Sequence, residues 1–97
     1  MPNEFKVDGV IQVLFYKERE EFIAYAPALD LSSCGSTFEE ADKNFEEAKN
    51  IFLTECDKKG TLPEALAACG WDSRMEKGIR VWRPPTAIGQ KQVSVAA

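Results

Sequence analysis

EFIAYAPALDLSSCGSTFEEADKNFEEAKNIFLTEC, residues 21–56, is the stretch that decides the fold. Its first six residues alternate. Phe22, Ala24 and Ala26 share one face of a strand, and Ile23 and Tyr25 share the other. Pro27 has no N–H to give a ladder, so pairing stops there. Leu29 to Cys34 predicts a short further strand ending before Gly35. The period then changes from two to between three and four. Ser36 with Glu39, and Thr37 with Glu40, make two overlapping capping boxes. Phe38, Ala41, Phe45, Ala48 and Phe52 recur at helical spacing, and Ile51, Leu53 and Cys56 widen the stripe. Lys58, Lys59 and Gly60 close the helix with cations on its negative end and a residue suited to the left-handed cap.

Upstream, VDGVIQVLFY (residues 7–16) reads as one strand. Val7, Ile11, Val13 and Phe15 lie on one face, with Val10, Leu14 and Tyr16 on the other. The charged run Lys17 to Glu21 reads as a hairpin connection. Downstream, Thr61-Leu62-Pro63-Glu64 opens a second, short helix that runs to about Ala68 and stops at Gly70. Leu62, Leu66 and Trp71 are placed to pack back on the main domain. Asp72 to Gly78 reads as loop, Ile79 to Arg83 as a strand or edge segment interrupted by Pro84-Pro85, and Gln92 to Val95 as a final strand. The expectation is an α+β fold of order β-β-β-α-(short α)-β. One sheet would carry the long helix on one face, and a last strand would insert parallel beside the first by a right-handed crossover. A single domain over residues 1–97 follows, with a core at 5–71 and a C-terminal extension carrying edge strands at 72–97.

Composition narrows the function. Apolar residues make up 44% of the 97 and charged residues 29%, so a packed core is expected rather than disorder. No apolar run is long enough to cross a membrane, and the polar start Met-Pro-Asn-Glu-Phe-Lys lacks a secretory core, so a cytoplasmic location is expected. The net charge of −4 is uneven. Residues 1–71 hold 7 Lys/Arg against 14 Asp/Glu, a balance of −7; residues 72–97 hold 5 against 2, a balance of +3. An acidic body repels phosphates and attracts a basic partner.

Chemistry is sparse. There is no histidine, and Cys34, Cys56 and Cys69 form neither a C-x-x-C pair nor an even disulfide set. No metal and no cofactor are expected. Asp8 and Asp30 are the acids beside the strands; they read as a surface acid and a turn former, or as the remnant of a hydrolase site. Glu46 and Glu47 read as a solvated helix face or part of a partner surface. Arg80, Trp82 and Arg83, with Tyr16 and Tyr25, have the residue types that stack on and neutralise RNA; core or interface packing is the plainer reading.

The ordered combination of Tyr25, Pro27, Ala28 to Leu31, Gly35 and Thr37-x-Glu39-Glu40-Ala41 opening a long helix resembles the HicB family of antitoxins. Gly60 to Trp71 and Trp82 to Pro85 add to the likeness, which covers about residues 7–85. The resemblance implies a partial RNase-H-like sheet without the nuclease carboxylates, no catalysis, and neutralisation of a small basic HicA-type RNA-cleaving toxin. Partner contacts are expected at Tyr25, Asp30, Ser33, Glu46 and Glu47, and the uncovered strand edges suit burial in a homodimer. Two departures matter. Only 26 residues follow Trp71, too few for the DNA-binding domain many members carry, so DNA binding is not expected. LDLSSC stands where many relatives have a Pro-Gly-Cys turn. An orphan domain that binds RNA or another partner is the alternative.

Overall fold

The computed structural model describes residues 5–96. Among the described residues the fold is mixed α+β, with six strands in two sheets and two helices. In chain order these are β1 (Phe5–Val7), β2 (Leu14–Glu18), β3 (Glu21–Ala26), β4 (Leu31–Gly35), α1 (Phe38–Lys59), α2 (Leu62–Ala68), β5 (Asp72–Glu76) and β6 (Ile79–Arg83).

The stretch that decides the fold forms as its pattern requires. β3 pairs antiparallel with β2 and with β4, so β2-β3-β4 is a meander. Ala24, Ala26, Ala41 and Phe45 are buried together, and Phe15, Phe22, Ile11, Val13 and Leu31 pack around them. Small residues on β3 let α1 approach closely, and Phe45 fills the gap. The tightest approach is at Gly35, where β4 turns into the helix. A Cβ there would lie 2.6 Å from the Ala41 nitrogen, so no side chain fits. Of the two capping boxes, the one with Thr37 at the cap forms: its hydroxyl accepts from the Glu40 N–H at 3.0 Å, while Glu40 Oε1 accepts from the Ser36 N–H at 2.6 Å. α1 ends on Gly60 in the left-handed conformation (φ 71°). The helical stripe is narrower than expected, because Ile51 is exposed while Leu53 and Cys56 are half-buried.

The first strand departs from expectation. Residues 7–16 are not one strand, since the chain leaves the ladder between Val7 and Leu14. Gly9 adopts φ +142°, and a Cβ there would overlap the Pro84 ring. The break gives β1 to a second sheet of order β1-β6-β5. β6 pairs parallel with β1, so the strand that returns beside the first is Ile79–Arg83. Gln92 to Val95 forms no strand and is exposed along its length. Asp72 to Gly78 is not loop: β5 pairs antiparallel with β6 through a Lys77-Gly78 turn in which both residues have positive φ, the geometry of a tight hairpin. Its charged residues hid a strand that has little apolar face to show. Residues 72–83 therefore supply the middle strand of a sheet, β6, as well as an edge.

The second cluster joins the two sheets. Leu29, Leu62, Leu66 and Trp71 are buried together, with Phe5, Phe52 and Trp82 against them. Trp71 Nε1 donates to the Ala28 carbonyl at 2.7 Å, tying the end of α2 to the turn after β3.

Candidate functional site

The alternation in β2 and β3 sets up the most distinctive surface. Directly paired residues share a face, so Leu14 with Tyr25 and Tyr16 with Ile23 line the side of the meander opposite α1. Ser32 and Cys34 of β4 pair with Tyr25 and Ile23 and continue that side. Leu14 is 39% exposed and Tyr16 53%, and Ile23 and Tyr25 are half-buried. Tyr25 and Tyr16 are candidates from residue type alone, whereas Leu14 and Ile23 were missed as site residues; strand parity was the available signal for them.

At one end of this face, Tyr25 Oη donates to Asp30 Oδ1 at 3.1 Å. Asp30 sits in the turn with φ +48°, a conformation Asp tolerates better than most residues. The bond to this carboxylate raises the Tyr25 phenol above its ordinary pKa, because ionisation would lose the bond and set two anions side by side. The pair thus presents a fixed hydroxyl and a carboxylate beside an apolar, aromatic patch.

The other expected partner contacts lie elsewhere. Ser33 pairs with Ala24 and is on the helix-facing side of the sheet. Glu46 and Glu47 are exposed on α1, the layer beyond that side, and Glu46 holds Lys49 at 2.7 Å. Tyr25 and Asp30 come together; Ser33, Glu46 and Glu47 do not join them.

Arg80, Trp82 and Arg83 alternate along β6, which places Arg83 on the face opposite the other two. Arg83 is held by Glu76 through both guanidinium nitrogens, and Asp8 lies 3.6 Å from it. Glu76 is correspondingly held below the ordinary carboxylate range, first by this hydrogen bond. Arg80 donates to Ser73 Oγ at 2.8 Å. Trp82 packs on the second core cluster with its Nε1 buried and unpartnered. Asp8 and Asp30 each serve a separate pair, and no group of three or more candidate metal ligands converges among the described residues.

A cleft of about 420 Å³ opens between the irregular segment Val10–Gln12, the Pro27-Ala28 turn and Pro85–Ala87. Gln12 and Thr86 are its only side chains with hydrogen-bonding groups. It exists because residues 8–13 leave the ladder, so the sequence reading of a continuous strand could not show it. No helix of the described residues is long and apolar enough to cross a membrane. Comparison of the chain with protein-family models, with curated proteins and with solved structures finds no match.

Proposed function

We propose that this chain is a non-catalytic protein-binding module, an antitoxin of the HicB type that neutralises a small basic RNA-cleaving toxin of the HicA type. The observation that carries the reading is the outer face of the meander. It offers Leu14, Tyr16, Ile23 and Tyr25 as an uncovered apolar and aromatic surface, with the Asp30 carboxylate fixed at its end. Aromatic centres with a charged rim are what protein interfaces use. The −7 balance of residues 1–71 supplies the long-range attraction for a basic partner. The partial RNase-H-like fold that goes with this reading is supported by the meander, the long helix after it and a strand returning parallel to β1.

The toxin docks on the Tyr25–Asp30 face in this reading; Glu46 and Glu47 steer it from the other layer. RNA binding is less well supported, because Arg83 already spends its charge on Glu76 and Asp8, and Trp82 is committed to the core. The test is co-expression with any small basic protein encoded next to this chain, followed by pull-down and growth rescue. A complex that Tyr25→Ala with Asp30→Arg weakens at least about a hundredfold, two steps of 1.4 kcal/mol, supports the reading. Absence of both complex and rescue overturns it.

A further inference from the structure

The four sheet edges differ in what they leave open. β4 is closed, because Asn44 Nδ2 donates to the Cys34 carbonyl at 2.9 Å and α1 packs along it. β1 has only three residues. β5 carries Asp72, Arg74 and Glu76, charges that blunt an edge. β2 is five residues long and, among the described residues, pairs with β3 alone. It bears apolar groups on both sides. Leu14 and Tyr16 are exposed on its outer face. On its helix side Phe15 meets Phe38 with ring centroids 4.3 Å apart, and Phe38 is 44% exposed.

The register fixes which main-chain groups of β2 face out. Arg19 and Glu20 make a two-residue turn closed by the Glu18–Glu21 pair. In such a hairpin the closing pair exchanges both hydrogen bonds, and every second pair beyond it does the same. Glu18, Tyr16 and Leu14 therefore spend their main-chain groups on β3. Phe15 and Lys17 turn theirs to the free edge. The same alternation points the Cys34 carbonyl out of β4, where Asn44 takes it.

This edge ends in uncompensated charge. Glu18 and Glu21 stand directly opposite each other, a like-charge pair that costs stability. Glu20 lies beside them in the turn, and none of the three holds an ion pair among the described residues. Residues 14–35 hold Glu18, Glu20, Glu21 and Asp30 against Lys17 and Arg19, a balance of −2. Lys17 is drawn to the helix side, 5.5 Å from the centroid of the Phe22 ring.

We propose that β2 takes up an extended segment of a basic protein as a further strand of the meander. Its apolar side chains lie beside Leu14, Phe15 and Tyr16, and a Lys or Arg lies beside Glu18, within reach of Glu20 and Glu21. The incoming main chain bonds to Phe15 and Lys17. This rests on the reading above for the partner being a basic protein, and deepens it by naming the element and the chemistry that the partner brings.

A synthetic peptide, acetyl-Lys-Val-Thr-Val-Thr-Lys-amide, tests this with no toxin present. Titrated into the isotopically labelled full chain, it is expected to shift the amide resonances of Phe15 and Lys17 and slow their hydrogen exchange, and to spare Ser32 and Cys34 on the closed edge. Glu in place of both peptide lysines should weaken binding at least about tenfold. Lys17→Pro removes an outward N–H and leaves the bonds to β3, so it should weaken the peptide by a similar factor. Glu18→Lys relieves the repulsion from Glu21, keeps the fold by circular dichroism, and should weaken the peptide too. No binding, binding indifferent to the peptide's charge, or slow exchange at Phe15 and Lys17 already in the free chain (its own tail or a second copy holding the edge) overturns the proposal. A complex with a neighbouring basic protein that leaves those two amides unprotected overturns it while the antitoxin reading stands. A peptide bound at β2 with no such complex supports it and sinks the antitoxin reading.

Discussion

Single residues hold this fold at places where chemistry leaves little choice. Thr37 is one: it satisfies an orphan N–H of α1, and Thr37→Ala is expected to cost about 1 kcal/mol in denaturant titration. Gly35 is another, for a steric reason. Adding a Cβ drives it into the backbone of α1, so Gly35→Ala should lower the thermal midpoint more than Thr37→Ala does. The Glu76–Arg83 pair gives a pH dependence. Glu76 is harder to protonate in the folded chain than in the unfolded one, so below its ordinary value of 4.5 the unfolded chain binds more protons. The pair's contribution is present above that pH and is lost as pH falls through the lowered folded value. Glu76→Gln should flatten the acid limb of a midpoint-against-pH curve.

At the scale of elements, α1 was legible and the first strand was not. The Phe/Ala stripe, cap and closing glycine of α1 are local signals within one segment. α2 and its packing through Leu62, Leu66 and Trp71 were legible for the same reason. Residues 7–16 carry apolar groups on both faces of a would-be strand, yet the chain breaks after Val7 so that β1 can meet β6. Gly9 permits that break and Pro84 makes a side chain there impossible. β5 failed in the opposite sense: its pairing with β6 is specified by the Lys77-Gly78 turn, whereas its charged sequence reads as loop. The tie between the end of α2 and the turn after β3 combines the packing of Leu29 on Leu62 and Leu66 with one long-range hydrogen bond. Trp71→Phe removes its N–H and leaves the Ala28 carbonyl without that partner, a loss of about 1–3 kcal/mol in chemical denaturation.

At the scale of the molecule, two clusters divide the work. One binds α1 to the meander through Phe45; the other joins α2, the Ala28–Leu31 turn and β6. Phe45 is 1% exposed, and Phe45→Ala is expected to cost about 3–5 kcal/mol and to unfold a chain of this size under mild denaturant. The segregation of charge is also a property of the whole. If a basic partner is drawn by the acidic body, its association rate should fall steeply as salt is raised toward a Debye length of about 8 Å, while dissociation changes little. Stopped-flow measurement across ionic strength reads both rates. Of the candidate site, sequence placed Tyr25 and Asp30 on one surface. It did not separate them from Ser33, Glu46 and Glu47, because strand parity and helix layer become opposite sides only after packing.

The sequence by itself determined the α+β class, the strand–turn–helix of residues 21–56, the short second helix and the acidic body, since each is written in local period, turn chemistry or composition. Only tertiary structure decided that the first strand divides, that two sheets form, that Arg83 is spent on Glu76 and Asp8, and that Leu14, Tyr16, Ile23 and Tyr25 become one face. Those outcomes depend on which distant segment lies beside each residue, and a ladder or ion pair between segments far apart in the chain leaves no periodic trace in either one.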